Sequence, residues 1–160
     1  MRRASMLLSA AIVSLTFSLT GCGGSDSDST TGIIGGNGST FSATVGGVAW
    51  SSPAPLAIIT STGVSVTGSD AGNKTTVTVS VLASAPGTYS LTFGQSTGGV
   101  GTVNKTGGQA YSTVATGGTG TVTFSTLTAH RAVGTFAFDA LGANATDILH
   151  VTNGKFDITF

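Results

Sequence analysis

The side chains able to do chemistry in this chain are few. There is no Glu, and the six acidic residues are Asp26, Asp28, Asp70, Asp139, Asp147 and Asp157. His130 and His150 are the two imidazoles, and Cys22 is the one thiol. Glycoside hydrolysis needs two carboxylates facing each other across a cleft. Asp70 falls in a turn cluster, and Asp139 and Asp157 fall at strand positions whose face reads as solvated. A Ser-His-Asp set is nominally available only because Ser is abundant. His130, beside Arg131, reads as a solvated turn residue and His150 as a strand-edge residue. Asp147 and His150 lie three apart and could share a ligand if their segment turned helical. A third ligand at metal-site spacing is missing. No metal, no cofactor and no catalytic residue are therefore expected, and the chain does not read as an enzyme. Trp50 and Tyr111 are the aromatic candidates for binding. Trp50 is either a platform on which a sugar stacks or, sharing a strand run with Phe41, a core residue.

The thiol has the clearest context. Arg2 and Arg3 form a basic start, and residues 6–17 (MLLSAAIVSLTF) form an apolar run. That run is short against the roughly 20 residues a spanning helix needs, and the pattern is that of a cleaved export signal. Leu19-Thr20-Gly21-Cys22 resembles the bacterial lipobox. The resemblance implies a diacylglycerol thioether on the Cys22 sulfur, cleavage before Cys22, and a further acyl chain on the new amino group. Several chains together give stable membrane anchoring. By resemblance to Gram-negative lipoproteins, in which an Asp after the cysteine favours retention at the inner membrane, Gly23 implies sorting to the outer membrane, facing the periplasm or the cell exterior. The expected division is a lipoprotein signal peptide over residues 1–21, a lipidated Cys22 with a flexible tether over residues 22–40, and a β domain over residues 41–160. The tether reading rests on Gly, Ser, Asp and Thr, with only Ile33 and Ile34 able to pack.

From Phe41 onward the apolar residues recur with a period of two, the signature of half-buried strands. Phe41, Ala43 and Val45 alternate with Ser42 and Thr44, and Val77, Val79 and Val81 with Thr76, Thr78 and Ser80. Gly46-Gly47, residues 69–73, Ala129-His130-Arg131 and Asn153-Gly154 read as turns, the last as a two-residue hairpin. Residues 94–108 are glycine-rich and read as a long mobile loop or weak edge strand. Residues 141–148 read as a connection with room for one helical turn. All ten aromatic residues after the signal (Phe41, Trp50, Tyr89, Phe93, Tyr111, Phe124, Phe136, Phe138, Phe156 and Phe160) fall in expected strands. Low charge (8%), 25 Gly and 28 Thr argue against helices. The expected fold is all-β, an antiparallel β-sandwich or barrel of about eight to ten short strands. An even charge balance, six basic against six acidic, argues against a nucleic-acid partner.

Three stretches considered together resemble a family of small bacterial lipoproteins of unknown function. They are Ala43-Thr44-Val45-Gly46-Gly47-Val48-Ala49-Trp50, Gly134-Thr135-Phe136-Ala137-Phe138, and Val151-Thr152-Asn153-Gly154-Lys155-Phe156. The resemblance implies anchoring and an all-β domain, and no chemistry. Gly46 stands where the family often shows Asn. The expected role is a lipid-anchored envelope protein with a binding or structural module, its partner a protein or a glycan. An envelope-polymer hydrolase and a barrel enclosing a small ligand are the alternatives. The space-filling inward faces favour a solid domain with a surface or rim site over an enclosing barrel.

Overall fold

The computed structural model describes residues 32–33, 38–70, 72, 74–92, 94, 98–144 and 146–159. Cys22, Asp26, Asp28, Ile34, Phe93 and Phe160 lie outside the described residues, as do the signal and most of the tether. Every strand pairing among the described residues is antiparallel, and the sheet curls into a half-barrel. The first strands are β1 (Gly32–Ile33), β2 (Thr40–Val45), β3 (Val48–Ser52) and β4 (Leu56–Ile59). Next come β5 (Val64–Asp70), β6 (Thr75–Val81), β7 (Gly87–Ser90) and β8 (Val100–Lys105). The last four are β9 (Gln109–Ser112), β10 (Thr119–Thr128), β11 (Arg131–Leu141) and β12 (Ile148–Thr159). The main path across the sheet is β1-β4-β5-β6-β8-β9-β11-β12-β2-β3, with β10 and β7 branching from β11.

The all-β expectation holds, because the period of two reports the pleat directly. Buried and less-buried residues alternate along β2, β5 and β6 as the Val/Thr pattern requires. On the outer face of β5 and β6, hydroxyls meet in cross-strand pairs: Ser65 with Ser80 at 2.8 Å, Thr67 with Thr78 at 3.0 Å and Ser69 with Thr76 at 2.8 Å. Gly46 and Gly47 adopt φ of +57° and +82°, the pair of positive values that a two-residue β2–β3 turn demands. Ala129 and His130 form the tip between β10 and β11.

Two local expectations fail, each for a tertiary reason. Within residues 94–108, the stretch Val100–Lys105 is no loose loop or edge: it is β8, which lies inside the sheet, paired with β6 on one side and β9 on the other. Asn153-Gly154 is not a hairpin but a bulge within one continuous β12, where the ladders to β11 and β2 both shift register. Asn153 carries the positive φ of +54°. Between β11 and β12 the chain makes the expected connection: the Gly142 N–H donates to the Asp147 carbonyl (2.9 Å) and the Asp147 N–H to that of Asn144 (2.9 Å). In addition, β1 pairs Gly32 with Ile59 and Ile33 with Ile58, so the ladder takes in two residues of the stretch read as tether.

The curl has a side-chain cause. Three inward glycines sit directly across the ladder from phenylalanines: Gly120 from Phe138, Gly134 from Phe156, and Gly154 from Phe136. The Phe156 ring lies over Gly134 and the Phe136 ring over Gly154, while the Phe138 ring lies against Gly101 of β8; the bare backbones leave room for the sheet to bend. The rings then meet inside. Phe41, Phe124 and Phe136 have centroids 6.5, 5.3 and 6.4 Å from that of Phe156. This continuous aromatic cluster fills the concave side, as the space-filling inward faces required. Across the gap, β3 approaches β5 and β6 through side chains. The Ser69 N–H donates to Ser52 Oγ (3.1 Å), and the Trp50 indole N–H to the Thr75 carbonyl (3.1 Å).

Candidate functional site

One end of the half-barrel carries a cleft. Along β2, β3, β6 and β8 the inward positions run out at Val45, Val48, Thr75 and Lys105, at the ends of their strands. With Trp50 these residues line a depression of about 260 Å³. The Gly46-Gly47 turn forms one lip and is fixed by the Gly46 N–H donating to the His150 carbonyl (2.9 Å). Val48 on that lip is 60% exposed. Thr75 and Lys105 are direct ladder partners and form the opposite wall.

Both aromatic candidates belong to this end, bridged by Lys105. Its ammonium lies 5.5 Å from the ring centroid of Tyr111, a cation–π distance. The Tyr111 hydroxyl donates to Asp147 Oδ2 (3.0 Å). That bond, then burial, then the Asp147 charge hold the phenol above its usual pKa. Trp50 is 4% exposed, packs edge-on against Phe41 at 5.2 Å, and has its N–H engaged by Thr75. A sugar-stacking platform needs an open ring face, so Trp50 is a core residue whose edge forms a wall. Tyr111 is likewise buried.

The remaining polar candidates are distributed rather than gathered. Asp147 pairs with Tyr111 and not with His150. His150 Nδ1 meets Asp139 Oδ1 at 2.7 Å across the β11–β12 ladder, with both side chains solvated. The reason is the strand geometry: residues 147 and 150 would share a face on a helix, whereas His150 lies directly opposite Asp139. Asp157 forms a two-bond pair with Arg131 (3.0 and 2.8 Å). The bond to Arg131 holds the Asp157 carboxyl below its usual range, and the guanidinium is raised in turn. Asp70 accepts from the Gly72 N–H (2.9 Å) and closes its turn. His130 is exposed at the hairpin tip. Among the described residues no three His, Cys, Asp or Glu side chains cluster as metal ligands.

A family model described as "Domain of unknown function (DUF6252)" matches residues 37–158. The chain belongs to this family. No curated protein and no solved structure matches it. The DUF6252 domain therefore takes in the sheet from β2 through Ile158 of β12 and leaves out β1. The description and the all-β sheet agree with the coarser part of the expectation, a domain of unknown function with an all-β fold.

Sequence reasoning missed two features of the DUF6252 domain. Lys105 was hidden because its segment read as a loop, although Gly101, Val103 and Lys105 keep the period of two that turns Lys105 inward. The second is a spacing that the search for a Ser-His-Asp set counts as absent: Gly94-Gln95-Ser96-Thr97-Gly98 has the Gly-x-Ser-x-Gly form of a nucleophile elbow. Such an elbow requires a strand, a sharp turn and a helix. Here Gly98 leads into strand β8, and residues 95–97 lie outside the described residues.

Proposed function

We propose that this protein is a lipid-anchored binding module of the bacterial envelope, tethered through Cys22 at the outer membrane and binding its partner at the rim of the half-barrel. The observation that carries the binding reading is the cleft between Val48, Trp50 and Lys105, with Tyr111 beside it. Barrel mouths are a common place for ligand sites, where a rigid apolar wall meets a few polar groups. A binding role is favoured over hydrolysis because Asp139, Asp147 and Asp157 each hold a different partner instead of facing one another. The anchoring reading rests on Leu19-Thr20-Gly21-Cys22.

Two experiments test the two halves separately. Cys22→Ser is expected to leave an unlipidated, uncleaved precursor; fractionation of that variant as a mature lipoprotein would remove the anchor. For the rim, Val48→p-benzoylphenylalanine and Leu82→p-benzoylphenylalanine are compared by photo-crosslinking in cells. Val48 and Leu82 are both 60% exposed, and Leu82 follows the end of β6 remote from Thr75. Mass spectrometry should find a defined adduct from position 48 and none from position 82. Equal labelling, or none at position 48, would sink the rim site.

A further inference from the structure

We infer that the rim cleft takes a small monocarboxylate with an apolar body, held by the Lys105 ammonium; this rests on the rim reading above and names its ligand class. The Trp50 N–H is engaged by the Thr75 carbonyl, and the Tyr111 hydroxyl by Asp147. Neither can donate to a guest without losing its bond. Among the described residues, Lys105 is the one charged side chain lining the cleft. Its ammonium carries three N–H donors and no acceptor, and the Tyr111 ring beneath it offers a π face, so its donor capacity points to an anion. A half-buried cation beside an apolar wall is stabilised by a carboxylate through charge-assisted hydrogen bonds.

The other walls decide the rest of the ligand. Val45, Val48 and the edge of Trp50 are apolar, so the body of the guest is apolar too. The volume of about 260 Å³ lies below the usual span of about 300–1,000 Å³ for drug-sized pockets. A glycan fits poorly: it needs an open aromatic face and planar polar side chains, and the cleft lining has neither. A cationic guest would meet Lys105 directly.

The test uses the full chain in phosphatidylcholine nanodiscs and the fluorescence of Trp50, the sole tryptophan. Hexanoate, 1-hexanol and hexylammonium are the probes. Hexanoate should shift the emission saturably, 1-hexanol at least about tenfold more weakly, and hexylammonium not at all. Lys105→Met should bring hexanoate down to the level of 1-hexanol. It should leave 1-hexanol unchanged. A β-sheet circular dichroism spectrum and a thermal midpoint matching those of the unaltered protein show that the variant is folded. Equal responses to all three probes, or full hexanoate binding by Lys105→Met, would overturn the ligand class while leaving the rim cleft standing. No response to any probe would remove the small-ligand site, and the crosslinking at Val48 would then decide the rim reading independently. An emission shift on moving to phosphatidylglycerol nanodiscs without hexanoate would identify a membrane lipid as the anion, and would equally overturn a free carboxylate.

Discussion

Phe156→Ala is expected to lower the unfolding free energy by about 3–5 kcal/mol, the usual cost of emptying a buried phenylalanine site. Phe156 is 2% exposed and stands at the centre of the aromatic cluster, between Phe41, Phe124 and Phe136. Its ring also covers Gly134: a Cβ built on that glycine would lie 2.5 Å from Phe156 Cζ and 2.3 Å from the Thr123 carbonyl oxygen. Removing the ring therefore leaves a cavity and bares a strand backbone that no side chain of its own can cover. Small domains have total stabilities of about 5–15 kcal/mol, so this one change takes a large share. The measurement is the denaturant midpoint, with Phe156→Leu as a milder companion. A loss below about 1 kcal/mol from Phe156→Ala would mean that the concave side is not packed as described.

Gly101→Val carries the second large effect. A Cβ at this position would lie 2.8 Å from both Cδ1 and Cγ of Phe138. All three of the nearest contacts are to that ring and none to backbone. Overpacking of this kind costs about 1–3 kcal/mol, and two further methyl groups in a buried site place Gly101→Val at the upper end. Thr102→Val, one residue on and facing outward, should stay within about 0.5 kcal/mol. Because the clash is with one side chain, Phe138→Leu in the same molecule should recover part of the Gly101→Val loss. That non-additivity is the mark of direct contact. Equal costs at positions 101 and 102, or strict additivity with Phe138→Leu, would show that β8 does not pack on β11 in this register.

These two variants show where reading the chain succeeds and where it stops. The β2–β3 turn, the tip at Ala129-His130 and the alternating Val/Thr strands are local: a pair of positive φ values or a period of two is written in neighbouring residues. Strand β8 is not local. Glycine supplies no apolar signal, so Gly101 made its segment look loose. Its missing side chain is instead what Phe138, 37 positions away, requires. The Asn153-Gly154 pair shows the same limit from the other side. A positive φ at Asn153 suits both a two-residue turn and a bulge, and the dipeptide alone does not separate them. Ladders to β11 on one side and β2 on the other hold residues 148–159 as one strand, and so select the bulge.

The same division applies to the rim. Composition and periodicity by themselves determined an all-β, antiparallel domain with a solid aromatic core, because pleat geometry and burial act residue by residue. Trp50 and Tyr111 were visible as candidates, but as separate ones. Only the curl of the sheet brought them to one end, since curling depends on which glycines face which rings across strands distant in sequence. Lys105 emerged as their link because the ladder pairing Thr75 with Lys105 carries the end of β8 to the mouth. Which carboxylate meets which partner was likewise a matter of register: His150 meets Asp139 because a ladder sets them opposite, while Asp147, three residues away, reaches Tyr111.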